Sequence, residues 1–213
     1  MEKAYQGVKK LFIAEIIDLI VGFAGVIVLV ISALNFEKPQ ALLAALALFA
    51  TLLLVGSLVA FIVKILGLSD GKAKSQWLGL AFWLVIANIV LTFVSVIVNF
   101  VSGTGLITNI IEAIVGVLNV AVVYFTFYGI AMLADEVGDK KMMQEGKILA
   151  FVGVALYALS TILTAVSHFV NVEAEPAKTI IGILGIAGGV AQLLTYILGV
   201  IYLGKATKML KGK

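Results

Sequence analysis

Four ionisable residues interrupt otherwise apolar stretches of the chain and could do chemistry there: Glu15, Asp18, Lys64 and Glu112. Holding such a group at the centre of a membrane helix costs about 2.5–3.5 kcal/mol on insertion scales, so each is a candidate functional residue. Glu15 and Asp18 are three residues apart, which puts both carboxylates on one face of a helix. Lys64 is the basic residue that could pair with them.

Two interpretations of Glu15, Asp18 and Lys64 are open at this point. In the first, Lys64 forms a structural ion pair with one of the acids while its ammonium group reaches toward the membrane surface. In the second, two acids facing one lysine leave one carboxylate without a basic partner, which suits proton or cation handling. The residue types alone allow both.

A second polar group of residues surrounds Glu112. Asn109, Glu112, Gly116 and Asn119 follow i, i+3, i+7 and i+10 spacing, which is one narrow face of a helix. We expect this face to line an outward-opening vestibule that binds a solute or ion, with further polar residues opposite it: Ser95, Asn99, His168 and Asn171. The alternative is that these side chains join helices through hydrogen bonds worth about 0.6 kcal/mol each.

The composition indicates a membrane protein. Hydrophobic residues make up 62% of the chain and charged residues 13%, and the mean hydropathy is +1.18, whereas soluble domains are about half apolar and about a quarter charged. Six apolar stretches each approach or exceed the roughly 20 residues that cross a bilayer. They are 11–34, 41–68, 77–101, 106–133, 148–169 and 179–203. We therefore predict an all-α integral membrane protein with six transmembrane helices in one domain, 1–213.

The lysines predict the orientation. Thirteen of the fifteen flank one set of ends of the apolar stretches, and only Lys38 and Lys178 flank the other. Basic residues accumulate on the cytoplasmic side, so both termini are expected in the cytoplasm of a cell-membrane protein. Anionic headgroups attract these lysines, so the net charge of +3 does not indicate nucleic acid. We expect residues 1–10 to lie along the membrane surface and the first apolar stretch, too long for a signal peptide core, to remain as a span.

The chain also contains an internal similarity. Residues 88–99 and 160–171 share six identities in twelve positions, and the first apolar stretch aligns more weakly. This pattern predicts three tandem helical hairpins in parallel orientation, 1–70, 71–140 and 141–213. Asp18, Asn88 and Ser160 are then equivalent, and we expect them to converge near a pseudo-threefold axis.

Several classes of chemistry lack support in the sequence. The chain has no cysteine and one histidine, and it contains none of the common metalloprotease, hydrolase, nucleotide or calcium motifs. We therefore expect no enzyme activity, no metal and no cofactor. The aromatic run 124–128 and the glycines at 182–189, including Gly185-x-x-x-Gly189, are expected to serve helix packing.

Two functional classes follow. The first is a transporter- or channel-like protein for a small solute or ion, with Glu112, Asn109 and Asn119 lining an outer site and with Asp18, Asn88 and Glu15 lying deeper or on the inner side. The second is a non-transporting membrane scaffold, immunity protein or accessory subunit of a larger complex. The expected partners are the lipid bilayer and a second copy or another protein, with no role for nucleic acid.

Overall fold

The computed structural model is a bundle of six helices. It describes residues 1–34, 39–103, 105–169 and 175–213. In chain order the helices are α1 (Glu2–Leu34), α2 (Pro39–Gly71), α3 (Gln76–Ser102), α4 (Leu106–Glu136), α5 (Lys140–Phe169) and α6 (Glu175–Leu210). Within these ranges there is no strand.

All six helices are long and apolar enough to cross a membrane, which confirms the prediction of a multi-pass membrane protein. Large apolar side chains lie on the outside of the bundle, among them Phe23, Phe93, Phe100 and Phe151. A contiguous apolar surface of this kind is rare on soluble monomers. In a bilayer, lipid chains cover it, and each helix satisfies its own backbone hydrogen bonds.

The helices form a closed ring. Each helix packs on the one before it, and α6 returns to α1. Neighbours run antiparallel: Lys10 near the start of α1 pairs with Asp70 near the end of α2, and Glu145 near the start of α5 pairs with Lys205 near the end of α6 at 2.9 Å. Consequently the start of α1 and the end of α6 lie at the same end of the bundle.

The best-packed part of the core is at that end. Its most buried large side chains come from five helices and are Val8, Leu11, Leu68, Leu78, Ile130, Leu133, Tyr202 and Leu210. The expectation that residues 1–10 lie along the membrane surface is wrong, because α1 already begins at Glu2 and both Ala4 and Val8 are completely buried. The alternation of apolar and charged residues there marks the two faces of a packed helix.

Direct backbone contact holds α1 against α2. A Cβ atom on Gly7 would lie 2.7 Å from the carbonyl oxygen of Gly67 and 2.7 Å from the amide nitrogen of Gly71. Only glycine permits two helices to approach this closely. The close packing expected of the α6 glycines is wrong for Gly182 and Gly189, since a Cβ atom on either would have no neighbour within 4 Å.

The turn between α4 and α5 is shorter than the apolar stretches suggest. The sequence predicts a loop over 134–147, whereas only residues 137–139 lie outside the two helices. Gly138 adopts a left-handed φ of 82°, and the Asp139 carboxylate accepts from the backbone N–H of Met142 at 3.0 Å. A glycine and an N-cap aspartate therefore reverse the chain within three residues.

Candidate functional site

The three predicted charged residues of α1 and α2 meet at one cavity, which we call the charged cavity. It has a volume of about 220 Å³ and is lined by α1, α2, α4, α5 and α6. Glu15, Asp18 and Lys64 face it. Four hydroxyl-bearing side chains complete its polar lining: Thr126, Tyr157, Thr195 and Tyr196.

One acid and the lysine form an ion pair. Lys64 Nζ donates to Glu15 Oε1 at 2.8 Å, and the side chains are 31% and 15% exposed. Asp18 follows one turn after Glu15, and in the described part of the chain it has no ion-pair partner. With both carboxylates ionised, the side chains lining the charged cavity carry one net negative charge.

Two threonine hydroxyls of the charged cavity donate their protons to backbone carbonyls of their own helices. Thr126 Oγ1 donates to the Val122 carbonyl at 2.7 Å, and Thr195 Oγ1 donates to the Ala191 carbonyl at 2.9 Å. A carbonyl oxygen can only accept, so each hydroxyl must supply the proton of its bond. Each threonine oxygen can then only accept a further hydrogen bond or bind a cation through its lone pairs.

Tyr196 makes the same kind of bond and also closes the ring of helices. Its hydroxyl donates to the backbone carbonyl of Glu15 at 2.6 Å, across 181 residues of sequence. This bond joins α6 to α1 one turn before Asp18. The wall of the charged cavity thus depends on a contact between the first and last helices.

A second cavity, which we call the amide cavity, lies between α2, α3 and α4. Its volume is about 380 Å³, and Asn88 and Asn119 both line it. Asn88 Nδ2 donates to Asn119 Oδ1 at 2.6 Å. Lys64 and Val122 line this cavity as well as the charged cavity, so the two cavities are neighbours.

Five of the predicted site residues therefore divide between two cavities. Glu15, Asp18 and Lys64 come together in the charged cavity, whereas Asn88 and Asn119 come together in the amide cavity. The structure brings Asp18 and Asn88, which the repeat makes equivalent, to different cavities.

The predicted vestibule around Glu112 is less complete. The Glu112 side chain is exposed and that of Asn109 is half-buried, and neither lines the charged cavity or the amide cavity. Asn171 and the side chains of Ser160 and His168 lie outside the described residues. The vestibule and the threefold convergence therefore stay predictions.

Sequence reasoning overlooked the hydroxyl residues of the charged cavity. Thr126 stands inside the aromatic run 124–128, and its neighbours there do pack: the rings of Phe125 and Tyr128 contact Trp77 with centroids 5.8 and 5.0 Å apart. Thr126 faces the other way, into the cavity. Counting residues from the lysine-rich end of each helix could have found it. Thr126, Thr195 and Tyr196 each lie as many residues from that end as Glu15 does, to within a few residues.

The arrangement suits the binding of a positive charge by oxygen atoms. The described ranges contain no group of three or more histidine or acidic side chains that could hold a metal ion, so neutral oxygens would supply most of the ligands. No family model, curated protein or solved structure matches the chain.

Proposed function

We propose that the protein is a small membrane transport protein that binds a monovalent cation in the charged cavity. The observation that carries the proposal is the surplus carboxylate of Asp18 beside hydroxyls whose protons are already committed to backbone carbonyls. The Glu15–Lys64 ion pair is neutral as a unit. Asp18 then supplies one negative charge, which a single positive charge balances.

The lining of the charged cavity favours a hard or weakly hydrated cation. Alkali and ammonium ions are bound in proteins by carboxylate, hydroxyl and carbonyl oxygens, which replace part of the hydration shell. A cavity needs a volume of roughly 10–15 Å³ to hold one water molecule. At about 220 Å³ the cavity has room for a cation together with several waters.

The orientation and the repeat belong to the same proposal. The distribution of lysines supports a cell-membrane protein with both termini in the cytoplasm, and three hairpins, α1–α2, α3–α4 and α5–α6, would then each enter from that side. The cation passes through unchanged, so the proposed function involves no chemical step and no cofactor.

Thermal unfolding in detergent tests the cation site. Wild type, Asp18→Asn and Glu112→Gln are compared in chlorides of sodium, potassium, ammonium and choline at equal ionic strength. A cation at 100 times its Kd adds about 2.7 kcal/mol to the free energy of unfolding. We expect one or more of the small cations to stabilise wild type and Glu112→Gln, and the effect to be lost in Asp18→Asn.

Two results would overturn the proposal. One is an equal change in the thermal stability of wild type in all four salts. The other is stabilisation of Asp18→Asn by the small cations to the same extent as wild type. Either result favours the non-transporting alternative, in which the protein is a scaffold, an immunity protein or an accessory subunit and the Glu15–Lys64 pair only holds α1 on α2. A positive result leads to flux measurements in liposomes.

A further inference from the structure

The amide cavity has a different chemistry from the charged cavity. Its polar lining consists of Asn88, Asn119, Thr92 and the lysine that it shares with the charged cavity. Among the described residues that line it, none is acidic. Its amide and hydroxyl oxygens can bind water or the water shell of an ion, but they supply no charge to hold a bare cation.

The two cavities share part of their linings. Lys64 and Val122 are the residues common to both linings. The Lys64 ammonium is held on the charged side by Glu15 at 2.8 Å, and Val122 is buried. Where the two linings meet, one of the shared side chains, that of Lys64, is long and flexible.

One atom of the amide cavity indicates that water belongs there. Asn88 Oδ1 is buried and has no hydrogen-bond partner within residues 1–34, 39–103, 105–169 and 175–213. Buried side-chain oxygens are nearly always hydrogen-bonded to protein or to water. A polar cavity of about 380 Å³ has ample room for water beside it.

We propose that the amide cavity is a water-filled antechamber of the charged cavity. A hydrated monovalent cation binds there at Asn88 and Asn119 before it passes Lys64 and Val122 into the charged cavity. That the antechamber contains water is inferred only from the lining that α2, α3 and α4 supply and from Asn88 Oδ1, which is unpartnered among the described residues. Its place on the cation path rests on the proposed function.

Cysteine reactivity tests solvation directly, because the chain has no cysteine of its own. Asn119→Cys and Thr92→Cys each place a thiol in the antechamber, and Thr92→Cys leaves the Asn88–Asn119 bond intact. Val117→Cys is the matched control, since Val117 is exposed on the apolar outside of the same helix as Asn119. The probe is a trimethylammonium methanethiosulfonate, which is water-soluble and reacts with the thiolate.

The variants are labelled in lipid nanodiscs, where both membrane faces are accessible. We expect the two antechamber cysteines to react about tenfold faster than Val117→Cys or more, because thiolates form in water and not in lipid. Equal rates for all three variants would overturn the inference. If Asn119→Cys fails to fold, Thr92→Cys against Val117→Cys gives the same comparison.

The cation path is tested with the same labelled proteins. The fixed positive charge of the probe on Asn119→Cys should lower cation flux into liposomes by about tenfold or more, while labelled and unlabelled protein bind the cation with similar affinity in detergent. Probe treatment of Val117→Cys should leave the flux unchanged. Undiminished flux through fully labelled Asn119→Cys would remove the antechamber from the path. Absence of cation binding by wild type would instead contradict the proposed function and leave the solvation result standing.

Discussion

Lys64 carries a positive charge inside an apolar helix, and in the part of the chain that the structure describes one carboxylate, that of Glu15, lies within hydrogen-bonding distance of it. Its contact with Glu15 at 2.8 Å is partly shielded from solvent, the two side chains being 31% and 15% exposed. Removing one member of a fully buried pair costs about 3–5 kcal/mol, because a charge is left without compensation. The partial exposure of this pair calls for a smaller value.

We therefore expect Lys64→Met to lower the free energy of unfolding by about 1–3 kcal/mol. The double variant Lys64→Met, Glu15→Gln should recover most of that loss, because it removes both charges. Unfolding in detergent is the measurement, and Lys205→Met is the control. Lys205 forms a more exposed pair with Glu145 and should cost about 1 kcal/mol or less. A double variant no more stable than Lys64→Met would contradict this account.

Cation binding should weaken as the pH falls. Asp18 is accompanied in the charged cavity by Glu15 on α1, Lys64 on α2, Tyr157 on α5 and Tyr196 on α6. A proton on either carboxylate removes the net negative charge, so protons and the cation compete. The apparent Kd should rise as the pH is lowered, by at most about tenfold per pH unit for one competing proton.

Calorimetric titration with the cation over a series of pH values measures this competition. A parallel unfolding experiment without the cation identifies the pH range in which the protein stays folded. An affinity that is constant over that range would contradict the expected competition between protons and the cation.

At the scale of the helices, the closest contact is between α1 and α2. Gly7→Ala places a Cβ atom against the backbone of Gly67 and Gly71 at 2.7 Å, and neither backbone atom can move without the helix. We expect a destabilisation of about 1–3 kcal/mol, typical of overpacking. Gly22→Ala, on the same helix, adds its Cβ atom to open space and should change stability by about 1 kcal/mol or less.

Thermal unfolding of the two variants in one detergent gives the comparison. Because Gly7 lies two turns from Glu15, cation binding by surviving Gly7→Ala protein reports whether the α1–α2 contact also shapes the charged cavity. Equal stabilities of the two variants would show that α1 and α2 are not in backbone contact.

The ends of the helices were the least predictable part of the elements. Apolar stretches indicate where the hydrocarbon core lies, but a helix continues beyond it wherever its polar residues are solvated or packed. α1 has 33 residues and is about 50 Å long at 1.5 Å per residue, well beyond the roughly 30 Å of a hydrocarbon core. Of the charged segments between the apolar stretches, 69–76 is therefore half helical and 134–147 is mostly helical.

The orientation of the whole molecule is a prediction that cysteine labelling can test. Gly105→Cys lies in the turn before α4, and Lys211→Cys follows α6 at the opposite end of the bundle. With both termini in the cytoplasm, a membrane-impermeant maleimide should label Gly105→Cys in intact cells from which any outer envelope layer has been removed. It should label Lys211→Cys only after lysis. The reverse pattern would show the opposite orientation in the membrane. Labelling of both cysteine variants in intact cells would exclude a single orientation.

The residues of the candidate site were partly predictable. Ionisable residues stand out in apolar sequence because their burial is costly, so Glu15, Asp18 and Lys64 could be recognised at once. Threonine and tyrosine cost little in a membrane helix and carry no such signal. Thr126, Thr195 and Tyr196 became site residues only when their helices were placed around one cavity.

The sequence by itself determined the class of molecule and the number of helices, because hydropathy is a property of single segments and each span must satisfy its backbone hydrogen bonds internally. The tertiary structure alone decided which spans meet. In it, Lys64 pairs with Glu15 and not with Asp18. Tyr196 joins α6 to α1, and Asn88 and Asn119 line a different cavity. The physical reason is that apolar helices have no strong preference for one neighbour over another, so close backbone contact and a few polar bonds decide their arrangement.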